Sequence, residues 1–213
     1  MNTEVRELDM GLYEDAIGVY GMGDKKIIIK HDEYTDDPLS WGHFEFFSTH
    51  KRYYTDSKYK AIKAKDGSFW GIEDFDSLEE IQEFLTNNDY LFNYVYLYEH
   101  SGFRIWTSTE KQYPNSIDMF FDSGCFGFLY VSKDKVRREY GVKKISPKVK
   151  KQVYDFMSGF VQNEWEQYFN GEVYEYLLLD KNDVYEECLG GFYGLEGLRE
   201  HLNSELKIQM PII

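Results

Sequence analysis

The chain predicts an α+β fold, a mainly antiparallel sheet flanked by three or four helices. Three observations point there. Short apolar runs, several alternating with period two, recur along the sequence between turn residues. Three other segments open on a serine placed to cap a helix. Phe, Tyr and Trp make up 18% of the 213 residues, a content that sets the chain apart from disordered sequences. Composition divides it into a polar, acidic N-terminal segment, 1–24, and one α+β domain, 25–213.

The N-terminal segment is Gly-rich and carries five acidic residues before Gly18. Lys26 to Asp32 (KIIIKHD) is the first predicted strand. An acidic loop follows, with Asp36-Asp37 and Pro38 as its turn signals. Gly42 to Phe47 (GHFEFF) alternates as a second strand. Lys51 to Lys65 is basic, Tyr-rich and ambiguous; Asp66-Gly67 marks a turn before a short strand, Ser68 to Ile72. Ser77 caps a helix to Leu85, with Glu80 completing a capping box and Leu78, Ile81, Phe84 and Leu85 as the apolar stripe.

Asn93 to Glu99 and Phe103 to Thr107 are strands joined around His100-Ser101-Gly102, and Glu110 to Met119 is a loop. Cys125 to Val131 is apolar on both faces, so it belongs inside a sheet. Ser132 caps a helix that stops at Gly141. Ser146-Pro147 opens the longest helix, which Gly171 ends. Val149, Val153, Phe156, Met157, Phe160, Val161 and Trp165 are its expected core residues. Val173 to Leu179 and Val184 to Leu189 form a hairpin. Gly190 to Gly194 (GGFYG) reads as a structural turn, and Leu195 to Leu206 as the last helix.

Net charge is −14. From Ser132 to Gln152 there are nine Lys or Arg against two Asp or Glu, a local +7, so the remainder carries −21. So acidic a chain is not expected to bind nucleic acid through its general field, because phosphate contacts need cations. It suits basic surfaces instead, including the nucleic-acid channels of other proteins. Solubility alone is the plainer explanation. Nineteen tyrosines fit either half-buried sheet faces or interfaces. Cys125 and Cys188 lack metal-ligand spacing and read as buried thiols in a reducing compartment. No apolar run approaches the roughly 20 residues of a membrane span and no leader segment is evident, so a soluble, cytoplasmic protein is expected.

Four groups of residues bear on chemistry. His31, His50 and His100, each at or near the end of a predicted strand, offer donors for a divalent metal together with Asp32, Asp36, Asp37 and Asp122, but none has short-range ligand spacing; no metal and no cofactor are expected. Ser123 beside Asp122, with His100, supplies the residue types of a nucleophilic set, as does Cys125 with His100; the simpler reading of Asp122-Ser123-Gly124 is a tight turn. The basic run Lys133 to Lys151 is a solvated helix face, a DNA-binding surface, or the mate of an acidic face in head-to-tail self-association. The glycines before the last helix have no P-loop spacing, and Glu196 would repel an anion.

Across residues 26–195 the motifs resemble a family of uncharacterised proteins carried by bacteriophages, prophages and other mobile elements. The matching pieces are His31-Asp32, Pro38, Trp41, His50 to Tyr53, Tyr96 to Gly102, Asp122 to Ser146, Gly171 to Tyr176 and Gly191 to Gly194. Two positions depart: Cys125 stands where Gln is usual, and Leu189-Gly190 where Trp precedes the final Gly-Phe-Tyr-Gly. The resemblance implies an accessory protein acting in the bacterial host cell, a class that includes anti-CRISPR and anti-restriction inhibitors.

The preferred expectation is therefore an inhibitor, not an enzyme. It binds a host protein or ribonucleoprotein defence complex through Asp32, Glu33, Tyr34, Asp36, Asp37 and Trp41, the carboxylates mimicking phosphate and the aromatics anchoring. The competing expectation is an enzyme acting on a nucleotide or signalling ligand through His50, His100, Asp122 and Ser123, with His100 as general base.

Overall fold

The computed structural model describes residues 5–7, 13, 15–109 and 123–206. It is an α+β protein in which every strand pair is antiparallel. In chain order the strands are β1 (Val5–Glu7), β2 (Ala16–Met22), β3 (Lys25–His31), β4 (Glu45–Ser48), β5 (Ala61–Lys63), β6 (Phe69–Gly71), β7 (Tyr90–Glu99), β8 (Phe103–Ser108), β9 (Ser123–Ser132), β10 (Val173–Leu179) and β11 (Tyr185–Tyr193). The helices are α1 (Leu78–Asn87), α2 (Lys133–Glu139), α3 (Pro147–Gly159), α4 (Glu166–Phe169) and α5 (Gly194–Glu205); a π-helical turn, Phe160–Trp165, joins α3 to α4. Among the described residues no helix is long and apolar enough to cross a membrane.

The chain packs as two compact units, with bounds that differ from the 1–24 and 25–213 division drawn from composition. Residues 1–37 and 167–213 form the first, and 38–166 the second. The second unit is thus an insertion into the first, between β3 and β10. Those two strands are nonetheless neighbours, in register from His31 opposite Tyr174 to Lys26 opposite Leu179.

The first unit is a five-stranded sheet in the order β1-β2-β3-β10-β11. The run Ile27-Ile28-Ile29 sends side chains to both faces. Ile27 and Ile29 join Tyr20, Tyr176 and Leu178 against Leu198 and Leu202 of α5. Ile28 joins Val19, Leu177 and Leu179 on the other face. Each such aliphatic side chain contributes about 1.5–3 kcal/mol on burial.

No strand was expected before Lys26, because Ala16–Met22 holds two glycines. One of them serves the packing: a Cβ on Gly18 would lie 2.7 Å from the Tyr20 ring. The missed signal was the two-residue loop Gly23-Asp24, with Gly23 at φ +61, which pairs Met22 with Lys25.

The second unit holds a four-stranded sheet, β4-β9-β7-β8, and the β5–β6 hairpin. β9 is interior, as its apolar sequence predicts. One face of the sheet packs Phe47, Tyr94, Tyr96, Cys125, Phe128 and Tyr130 with Leu78, Ile81 and Leu85 of α1. Phe46 and Phe126 leave the opposite face and meet Trp165 at ring-centroid distances of 4.8 and 5.5 Å. Phe126 reaches that face because β9 bulges. Tyr96 is opposite Cys125 but Val95 is opposite Gly127, so Phe126 is the extra residue. Gly127 permits the bulge, since a Cβ there would sit 2.1 Å from the Phe47 carbonyl oxygen.

The predicted caps form: Ser77, Ser132 and Ser146 accept from the N–H groups of Glu80, Lys135 and Val149. The Glu80 carboxylate, however, accepts from Asp76 N–H, one residue before the expected capping-box partner. Of the expected core stripe, Val153, Met157, Phe160, Val161 and Trp165 are buried, whereas Phe156 is 46% exposed. The π turn was not foreseen; its wider spacing keeps Phe160 and Trp165 on the buried side. Trp165 Nε1–H donates to Tyr54 Oη at 2.7 Å. Glu166 accepts from Ile105 N–H at 2.6 Å and from Arg104 at 3.1 Å, which covers the outer edge of β8.

Two further expectations are corrected. Gly190 to Tyr193 is not a turn but the second half of β11, because Phe192 and Tyr193 pair with Tyr174 and Val173. Cys188 is exposed rather than buried, since β11 is an edge strand; only Cys125 is in the core, and the two cysteines form no disulfide. The loop predicted at Glu110 to Met119 lies outside the described residues.

Candidate functional site

At the end of β3 the chain turns out of the sheet through Asp32. Its Oδ1 accepts from Tyr34 N–H at 3.0 Å and its Oδ2 from Gly191 N–H at 2.8 Å. The carboxylate therefore folds the acidic turn and pins it to β11. Gly190 and Gly191 face the single residue Glu175, a bulge that frees the Gly191 amide from the ladder. Gly190 must lack a side chain here, because a Cβ would lie 2.4 Å from the Asp32 carboxylate. The other end of the turn is fixed by Tyr193, whose hydroxyl donates to the Asp36 carbonyl at 2.9 Å and lies 3.1 Å from Thr35 Oγ1.

Between these anchors Glu33, Tyr34 and Asp36 are exposed, Tyr34 at 93%. Asp37 is half-buried. Burial raises the Glu175 carboxyl above its usual range; Asp32 and Glu33 raise it further and Lys30 opposes them. The Cys188 thiol is raised by desolvation, then by Glu175 and Asp32, so it is not an activated nucleophile. In both groups burial is the larger cause, and the carboxylates gathered at this corner add to it. The wider charge follows suit. The first unit carries 19 Asp or Glu against 7 Lys or Arg, a net −12; residues 38–166 carry 19 against 17, a net −2.

Of the six residues expected to form a binding surface, Asp32, Glu33, Tyr34, Asp36 and Asp37 belong to the first unit. Trp41 belongs to the second, where it ends the 3₁₀ turn Pro38–Trp41 and packs edge-on against His43 and Phe160. Asp32 is structural in its contacts. Glu175, Cys188 and Tyr193 were not anticipated here; only the pairing of β10 with β3 on one side and β11 on the other brings them in.

The described residues of the enzymatic expectation share one end of the second unit's sheet. His50 follows β4, His100 lies in the β7–β8 turn, and Ser123 begins β9 opposite Tyr98; Asp122 lies outside the described residues. Their partners differ from those a catalytic set requires. His50 Nδ1 accepts from Arg52 N–H at 3.2 Å and Tyr53 N–H at 3.4 Å, and its ring stacks on Tyr53. Burial, then Arg52, depresses its basicity, with Glu99 opposing. The neutral ring therefore offers Nε2–H, a donor and not a base. His100 is exposed, with its ring against Tyr98.

The carboxylate at this sheet end is Glu99, which accepts from Arg52 at 2.6 Å and Tyr53 Oη at 3.0 Å. Lys60, its ammonium made less basic by burial, donates to the carbonyls of Ser48 and His50 at 3.1 and 2.6 Å. This cluster staples the loop from 48 to 60.

His31 belongs to the other unit, where Nδ1 lies 3.0 Å from the Gly171 carbonyl. Among the described residues no three His, Cys, Asp or Glu side chains are grouped as a metal site needs. In the basic run, Lys133 pairs with Asp89, Arg137 with Asp134 and Lys151 with Asp155, while Lys135 donates to the Gly42 and His43 carbonyls. Four of its nine cations thus serve neighbours in the same unit. Comparison with family models, curated proteins and solved structures found no match to this chain.

Proposed function

We propose that this protein is a binding inhibitor, a phage-type accessory protein that occupies a basic, nucleic-acid-binding face of a host defence nuclease. The observation that carries this reading is the net −12 charge of the first unit together with its exposed turn, which presents Glu33, Tyr34 and Asp36. Carboxylates stand in for phosphates, and Tyr34 supplies a large, stiff anchor with few rotamers to immobilise. Long-range charge accelerates encounter, while the anchor sets the dissociation rate. The motif resemblance to mobile-element proteins supplies the biological setting, an anti-CRISPR or anti-restriction activity.

The test is a DNA-cleavage panel of CRISPR effectors and restriction nucleases. One member is expected to be inhibited at about one inhibitor per nuclease. Inhibition is expected to weaken between 50 and 500 mM salt, an order-of-magnitude range chosen to span strong to weak screening. It is also expected to be lost in Glu33→Lys/Asp36→Lys. Inhibition at trace amounts would identify an enzyme, and no inhibition of any member would refute the proposal.

A further inference from the structure

β11 is the long open edge of the described structure. It pairs with β10 on one side, and no described strand lies on the other. Residues 185–191 are all exposed. Val184 is 59% exposed, Tyr185 68% and Leu189 40%. The remaining edge of that sheet, β1, is three residues long, and Glu166 covers the edge of β8. An open edge presents unpaired N–H and C=O groups in a row and templates another strand.

The side chains of β11 decide which strand. Glu186 and Glu187 are its charged residues, with Asp180 and Asp183 in the preceding turn. Glu186 pairs with Lys25 at 2.5 Å through Oε2 and Glu187 accepts from Tyr176 through Oε1, so each keeps one oxygen for an incoming cation. A second copy of this chain is a poor occupant. Antiparallel pairing about the centre of Tyr185 to Leu189 sets Glu187 against the copy's Glu187, and like charges directly opposite are destabilising. Both copies also bring a net −12 unit. The features that reject a copy favour an extended segment in which Lys or Arg alternates with aliphatic residues. The Gly190-Gly191 bulge ends the edge on one side, and Val184, whose N–H and C=O both bond to Asp180, ends it on the other; Tyr185 to Leu189 are left for pairing, with Glu186 an extra residue that faces no partner of its own on β10.

We propose that β11 captures such a basic, extended segment of a partner protein as a sixth strand, main-chain bonds supplying affinity and Glu186 and Glu187 selecting charge. The proposal rests on the inhibitor reading only for the sign of the partner's charge.

It is tested on the full-length protein with a blocked octapeptide of alternating Lys and Val, and a Glu-Val octapeptide as control, by amide hydrogen exchange. The Lys-Val peptide is expected to slow exchange of the outward-facing amides among residues 185–189 saturably, by roughly tenfold or more, as newly bonded amides do. Glu186→Lys/Glu187→Lys is expected to weaken that peptide at least about tenfold, or 1.4 kcal/mol. Equal protection by both peptides overturns the proposal, as does protection confined to residues 32–37. A dimer with the outward-facing amides of 185–189 already protected also overturns it. Peptide protection without inhibition in the nuclease panel would sink the proposed function alone; inhibition without protection would sink this proposal alone.

Discussion

His50 holds the turn after β4 through a lone pair, and that makes the turn sensitive to acid. Protonated Nδ1 cannot accept from Arg52 and Tyr53, and burial already disfavours the cation. The folded-state pKa lies below the unfolded value of about 6.5. Its contribution is thus complete above that pH and is lost as pH falls through the folded value. Urea midpoints are expected to drop between pH 7 and pH 5, and His50→Asn, whose Oδ1 still accepts, should flatten this part of the profile. Glu175 carries the opposite sign. Its carboxyl is raised by burial and by Asp32 and Glu33, so its contribution is complete at acid pH and lost as pH rises through the folded value. Glu175→Gln is expected to raise the melting temperature at pH 7 and to have little effect at pH 3, measured by calorimetry.

Two positions separate local from packing-dependent stability at the scale of elements. Ser132→Ala removes the α2 cap and is expected to cost about 1 kcal/mol. Gly127→Ala drives a Cβ into the Phe47 carbonyl and disturbs both faces that the bulge serves, so a cost of about 3 kcal/mol or more is expected. Urea denaturation of the two variants should rank them in that order. The contrast matches what was readable beforehand. The capping serines were legible because a cap is satisfied within four residues. β7, β8 and β9 were legible from their apolar patterns and turn signals. β2 and the second half of β11 were not, because their glycines oppose strand propensity and only neighbouring strands overcome it. The π turn escaped notice because its spacing pays off only against Phe46 and Phe126.

The whole molecule is an insertion: residues 38–166 interrupt a sheet whose halves come from the two ends of the chain. The inserted unit has a core of its own, built on both sides of the β4-β9-β7-β8 sheet. Residues 38–166 expressed alone are therefore expected to fold, giving a cooperative melt and native-like far-UV dichroism. With a net −2 against −14 for the chain, the fragment should leave an anion exchanger at much lower salt than the full protein. A broad, non-cooperative melt would mean that the insert depends on its host unit.

Composition and local pattern already specify the α+β class, the capped helices, the buried central strand and the acidic turn at Asp32 to Asp37. Each depends on side chains a few residues apart, or on the solvation of one amphipathic segment. Strand partnership is different. β3 pairs with β10, far along the chain, and β10 with β11; together these pairings bring Glu175, Cys188 and Gly191 to the acidic turn. They also divide the charge into a strongly acidic unit and a nearly neutral one, because the basic run of α2 and α3 folds with the insert. Burial and cross-strand bonding between distant segments made those choices, and neither is encoded at any one place in the chain.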